Sequence, residues 1–119
     1  MNADQGLFHQ LLAHIAAEPN AHARGMKQVF TKNSDTDSAL TQFAYGVMSK
    51  GDRSGRHSHA TMDEYFFFIK GKGIYHIADE LIDLLPTTFV RIPAGTEHEL
   101  INDHNEPLEF VYFGVALYA

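Results

Sequence analysis

From Met26 onward the sequence breaks into short strand-like runs separated by turn signals, and no helical period persists among them. The runs are Met26–Lys32, Leu40–Lys50, Tyr65–Lys70, Ile74–Ala78, Ile82–Leu85, Thr88–Ile92, His98–Asn102 and Leu108–Leu117. Polar, glycine-bearing or proline-bearing stretches divide them: Asn33–Ser38, Gly51–Gly55, Gly71–Gly73, Asp79-Glu80, Pro86 and Pro93–Gly95. So many short strands within 119 residues predict one all-β domain, a sandwich or a barrel. Only the start reads differently. Residues 4–17 set Leu7, Phe8, Leu11, Leu12 and Ile15 at steps of three and four, the stripe of a short N-terminal helix. Asn2 with Gln5 makes a capping-box pattern, and Pro19-Asn20 ends the segment. The expected organisation is an N-terminal helical extension over residues 1–24 and a single β domain over residues 25–119.

The chemistry concentrates in two places. Residues 51–71 hold His57, His59 and Glu64 between Gly51 and Gly71. In a strand, positions two apart share a face, so His57 and His59 aim together. Glu64 lies an odd number of residues beyond His59 and would face away on one continuous strand. A turn through Ala60–Asp63 removes that conflict. From Glu64 onward, Phe66 and Phe68 share its face, and Tyr65, Phe67 and Ile69 take the other. The second place is His98, which opens a run after the turn Pro93-Ala94-Gly95, with Leu100 and Asn102 on its face.

Three imidazoles and one carboxylate form a donor set for a divalent transition metal such as Fe, Mn, Ni or Zn. The expected metal ligands are therefore His57, His59, Glu64 and His98, with the three histidines as neutral imidazoles. Acidification below the ordinary histidine pKa of about 6.5 is expected to loosen the ion. Histidines two apart often only decorate turns; the combination with glycines, a proline and a second histidine unit gives this cluster its weight. Phe66, Phe68 and Tyr45 are the candidate substrate contacts. Alternation leaves open which face of Phe43, Tyr45 and Val47 points inward. Arg53, Arg56, Lys70, Tyr75 and Arg91 read first as surface or structural residues, and His76 and His104 stand outside the site.

Composition removes several function classes. The formal charge is −6 and the charges are interspersed, so no basic stripe offers a nucleic-acid surface. There are no cysteines, which excludes disulfides, thiolate metal sites and cysteine nucleophiles, and agrees with a cytoplasmic protein. No signal-peptide pattern and no run of membrane-spanning length is present, so no membrane partner is expected.

These residues resemble the cupin superfamily. Its first motif reads G-x5-H-x-H-x3–4-E-x6-G, and Gly51, His57, His59, Glu64 and Gly71 fill each position. Its second reads G-x5-P-x-G-x2-H-x3-N, matched by Pro93, Gly95, His98 and Asn102. The opening glycine is replaced by Thr87, a departure that touches a turn and not a ligand. The resemblance covers residues about 40–115. It implies a double-stranded β-helix, a jelly-roll-like barrel with the metal inside, of the small single-domain bacterial type that commonly forms homodimers. Cupins serve as dioxygenases, decarboxylases, isomerases, epimerases, sugar binders and storage proteins. The expectation is a metalloenzyme acting on a small organic substrate by dioxygenase-like or carbonyl/carboxylate chemistry. The alternatives are a non-catalytic small-molecule or sugar binder, and a sugar isomerase or epimerase.

Overall fold

The computed structural model describes residues 8–20 and 25–117. Among these residues run nine strands: β1 (Glu18–Pro19), β2 (Met26–Lys32), β3 (Leu40–Met48), β4 (Met62–Lys70), β5 (Gly73–Ile77), β6 (Glu80–Leu84), β7 (Thr88–Ile92), β8 (His98–Ile101) and β9 (Leu108–Ala116). Six form one sheet in the order β1-β2-β3-β9-β4-β7, and three form a second in the order β6-β5-β8. All pairings are antiparallel. The two sheets face one another across a common core, giving the jelly-roll-like double-stranded β-helix. No helix among the described residues is long and apolar enough to cross a membrane.

Alternation decides what enters the core. Glu64, Phe66 and Phe68 of β4 are buried while Phe67 and Ile69 are exposed, as the period of two requires. On β9, Leu108, Phe110 and Tyr112 turn inward. These rings meet Tyr75, Leu84 and Leu100 from the small sheet. Phe66 stacks on Tyr112 with centroids 5.2 Å apart and planes 7° from parallel. Such a pair adds about 0.5–1.5 kcal/mol beyond area burial. β3 contributes bulk only at its end: Ala44 and Gly46 face inward because Phe110 already fills the space. A Cβ on Gly46 would stand 2.7 Å from the Phe110 ring.

The turns carry their own signatures. At Gly71, φ is +88°, and a Cβ there would collide with the Pro107 carbonyl. That glycine closes β4 where no other residue fits. Between β6 and β7, Thr88 N–H returns to Leu85 O at 3.1 Å, with Pro86 and Thr87 at the corners. Thr87 has φ +71°, the left-handed region that a type II turn demands of its third residue. The turn expected from a glycine thus forms with threonine in its place, under strain.

The N-terminal helix does not form over the described part of its segment. Asn2, Gln5 and Leu7 lie outside the described residues. Residues 8–17 are extended apart from one 3-10 turn at Leu12–His14. Little covers the stripe: Phe8 and Leu11 are exposed, and Leu12 and Ile15 are only partly buried. A helix of that length is marginal in water without tertiary packing. The segment is instead tied down by Gln28, whose side-chain amide donates to the carbonyls of Leu12 and Ile15, both at 2.8 Å.

Candidate metal centre

The segment before β4 reaches its place by pairing with β8. Ser54 N–H donates to Leu100 O at 2.9 Å. His57 and His98 exchange both backbone hydrogen bonds, at 3.0 and 2.9 Å. The two rings therefore lie side by side, with centroids 4.3 Å apart. Gly95 N–H donates to His59 O at 2.8 Å, which joins the turn before His98 to the second histidine. Gly95 has φ +81°, a conformation that glycine supplies without penalty. Glu64 enters from the opposite sheet, on the inner face of β4.

His57, His59, Glu64 and His98 each bring one ligand atom, and these atoms all lie within 4.8 Å of one another. The rings are held from behind. His57 Nδ1 lies 2.8 Å from Gly55 O, and His98 Nδ1 lies 2.8 Å from Thr96 O. A carbonyl can only accept, so each Nδ1 carries the proton and Nε2 is the ligand atom. His98 is 1% exposed, and its Nε2 has no hydrogen-bond partner. That lone pair faces Glu64 Oε1 at 3.3 Å, and His59 Nε2 stands 3.5 Å from the same oxygen. Acceptors at such distances call for a cation between them, and the donor set suits a divalent metal ion.

A cavity of about 190 Å³ opens beside the cluster. Met48, Met62, Phe66, Leu100 and Phe110 give it apolar walls. Tyr75 and Tyr112 also line it, and burial holds both hydroxyls protonated far above neutral pH, with the Glu64 charge as the next cause. Of the sequence-selected contacts, Phe66 lines the cavity. Phe68 does not: it is 0% exposed and packs against Phe110 in the core behind Phe66.

Tyr45 is a correction. It lies on the outer face of β3, because Ala44 and Gly46 take the inner positions against the β9 rings. Its hydroxyl bonds the Glu109 carboxylate, and burial together with that carboxylate pushes its pKa up to about 12. Arg53 pairs with Glu99, Arg56 with Glu97, and Arg91 with Asp63, all away from the cavity. Sequence reasoning passed over Lys27 and Gln42, which line the cavity from β2 and β3. Only the register places Lys27: it pairs with Gly46, as Val29 pairs with Ala44, and so follows the inward face of β3.

The model of the cupin domain matches residues 44–114. An uncharacterized protein of Methanocaldococcus jannaschii is 25% identical over 68 residues, covering 57% of this chain and 54% of the relative. The match thus spans about half the length of that curated relative. A predicted oxalate decarboxylase from Thermotoga maritima superposes with a TM-score of 0.81 at 19% identity, over 90% of this chain and 97% of that one. The polyketide cyclase RemF from Streptomyces resistomycificus superposes with a TM-score of 0.78 at 12% identity, over 93% and 85%. At these identities the likeness is one of fold.

Proposed function

This chain belongs to the cupin family, and on that footing we propose that it is a small metalloenzyme holding a divalent transition ion through His57, His59, Glu64 and His98. The observation that carries this reading is the buried His98 Nε2, without a hydrogen-bond partner, set against Glu64 Oε1 at 3.3 Å. Such an ion, when bound, supplies Lewis-acid polarisation of a substrate oxygen or a place for dioxygen. The chain's own residues do the rest. Phe66, Leu100 and Met48 exclude water and shape a space for a small organic molecule. Burial keeps the Tyr75 and Tyr112 hydroxyls protonated, so each can donate a hydrogen bond into the cavity. The alternative is a sugar isomerase or epimerase that works through a histidine base, on which the two phenols do not bear.

The test is elemental analysis of protein purified without chelating resin, then reconstituted separately with Fe, Mn, Ni and Zn. One equivalent per chain is expected in the wild type, with loss in His59→Ala. A wild type that retains no stoichiometric ion in any of the four would sink the reading. Oxygen uptake across a panel of small diols and keto acids then separates oxygenase from oxygen-independent turnover. Binding without turnover across the panel identifies a non-catalytic binder.

We infer in addition that the chain pairs with a second copy through the outer face of the large sheet. An aromatic row crosses that face from strand to strand: Phe30 to Phe43 at 5.4 Å, Phe43 to Phe113 at 5.8 Å, Phe113 to Tyr65 at 4.9 Å and Tyr65 to Phe89 at 6.4 Å. Phe67, Ile69 and Phe89 on the same side are exposed. Together these side chains offer on the order of 500 Å², the apolar centre of an interface whose usual half is about 800 Å². A two-fold axis would bring the same patch of each copy together.

A further inference from the structure

Tyr75 stands on the inner face of β5, is 2% exposed and lines the cavity. Its ring is held on three sides, by Phe66 at 5.3 Å, His98 at 5.9 Å and Phe68 at 6.1 Å between centroids. Packing of that kind asks only for a phenylalanine. The hydroxyl is what packing leaves over. No group among the described residues accepts its proton; Glu64 acts on it through space and takes no hydrogen bond from it. Tyr112 differs, because its hydroxyl already donates to Asn20 Oδ1 at 3.3 Å.

A buried phenol without an acceptor is a standing cost, since the fold does not make good its lost hydration. The two groups that act on this hydroxyl, Glu64 and Tyr112, both line the cavity, which puts the phenol oxygen on the cavity side. In the β5–β8 register Ile77 faces His98 and Tyr75 faces Leu100, so Tyr75 is the next inward position along from the ligand histidine. A free donor therefore stands beside the metal-ligand cluster, on the side where a ligand enters. The space is small, about 190 Å³, and a cavity of about 150 Å³ already holds benzene. An occupant of about one ring's size reaches the cluster and Tyr75 together.

We propose that Tyr75 selects the ligand of this site: a molecule of at most about one ring's size that offers the ion an oxyanion and offers the Tyr75 hydroxyl an oxygen acceptor beside it. Adjacent oxygens of that kind belong to α-keto acids, α-hydroxy ketones and enediols. The inference rests on the metal reading for the ion, and on the Tyr75 hydroxyl for the choice of ligand. A molecule that binds the ion but presents no acceptor leaves the phenol unpaired in the closed site and is disfavoured.

The experiment loads wild type and Tyr75→Phe with cobalt(II), measures the cobalt retained by equilibrium dialysis, and follows the visible absorption of the ion during titration. One probe is acetohydroxamate, which presents two adjacent oxygens. The other is pyridine, which ligates through nitrogen and presents no acceptor. Both proteins are expected to retain cobalt equally. Tyr75→Phe weakens acetohydroxamate binding by about tenfold or more, the weight of a hydrogen bond to a charged oxygen, and leaves pyridine binding unchanged. The pyridine arm separates a lost hydroxyl from a distorted cavity. Equal acetohydroxamate affinity in the two proteins, or an equal loss for both probes, overturns the proposal and leaves the metal reading standing. So does a wild type that holds cobalt and binds no acetohydroxamate. Loss of cobalt from Tyr75→Phe alone makes the hydroxyl a support of the metal ligands and likewise overturns it. A wild type that retains no cobalt sinks the metal reading, and the proposal, which needs the ion, falls with it.

Discussion

The Asp63 carboxylate accepts a hydrogen bond from the Ala94 backbone N–H at 2.8 Å, tying the residue before Glu64 to the turn that delivers His98. Its other oxygen holds Arg91 at 3.0 Å. Glu64 belongs to the large sheet and His98 to the small one. Asp63 is therefore a clamp between the two halves of the candidate centre, although it contributes no ligand.

That clamp predicts a metal-affinity defect from a residue that never touches the ion. Asp63→Ala is expected to weaken zinc binding by about tenfold, in the range seen when supports behind metal ligands are removed. Competition with a chromogenic chelator reads this directly, and unchanged affinity would refute the clamp. The pH dependence has a definite sign. The Ala94 N–H, then Arg91, hold the Asp63 carboxyl below its ordinary range in the folded state. Its contribution is thus present above the unfolded carboxylate pKa and is lost as pH falls through the lower folded value. Asp63→Asn should lower the melting temperature at neutral pH and leave it unchanged at the acid end of that window. A parallel offset at every pH would contradict this.

Thr87 makes a second prediction, about stability. A β-branched residue at φ +71° carries about 1–2 kcal/mol of left-handed strain. Glycine removes it, less the extra chain entropy of about 0.5–1 kcal/mol. Thr87→Gly is expected to gain about 0.5–1 kcal/mol, or roughly 4 °C in melting temperature for a domain of this size. Thr87→Ala keeps a Cβ in the same conformation and should gain nothing. Equal shifts from Gly and Ala in differential scanning calorimetry would remove strain as the cause.

Gly46 predicts the opposite. A Cβ there would stand 2.7 Å from two carbons of the Phe110 ring, which is itself a cavity wall. Gly46→Ala must displace the ring or part β3 from β9, at about 1–3 kcal/mol. The melting temperature should fall, and Phe110 ring resonances should shift with it. A neutral Gly46→Ala would mean that β3 and β9 are looser than the close approach implies.

Parity carried the sequence reading furthest where a candidate ligand marked one face. On β4, Glu64, Phe66 and Phe68 were grouped correctly, while the break that the odd spacing from His59 required falls at Ala60-Thr61, because β4 already begins at Met62 and the turn does not extend to Asp63. β2 and β7 were delimited end to end because charged residues and prolines bound them. Parity failed on β3 for a physical reason. The outside of the large sheet is itself aromatic, so Phe43 and Tyr45 look as internal as Ala44 and Gly46 look external. The same ambiguity hid Lys27, since Met26 and Phe30 make the outer face of β2 the more apolar one. The N-terminal stripe misled because amphipathic spacing states only that a helix could bury a face. It does not supply the surface to bury it on.

The aromatic exterior that confused parity has a consequence of its own. Phe89 is 62% exposed at the end of the row, on the edge strand β7, and stacks only on Tyr65 within that row. A charge there leaves the inner face of β7, Val90 and Ile92, untouched. Phe89→Asp should therefore fold as the wild type does and retain its zinc stoichiometry. If the outer face joins two copies, the buried carboxylate has no partner, and its desolvation penalty disfavours association. Sedimentation equilibrium at micromolar concentration should give a dimer for wild type and a monomer for Phe89→Asp. The apolar control Phe89→Leu should remain dimeric. A monomeric wild type, or a Phe89→Asp variant that stays dimeric, would move the interface elsewhere or abolish it.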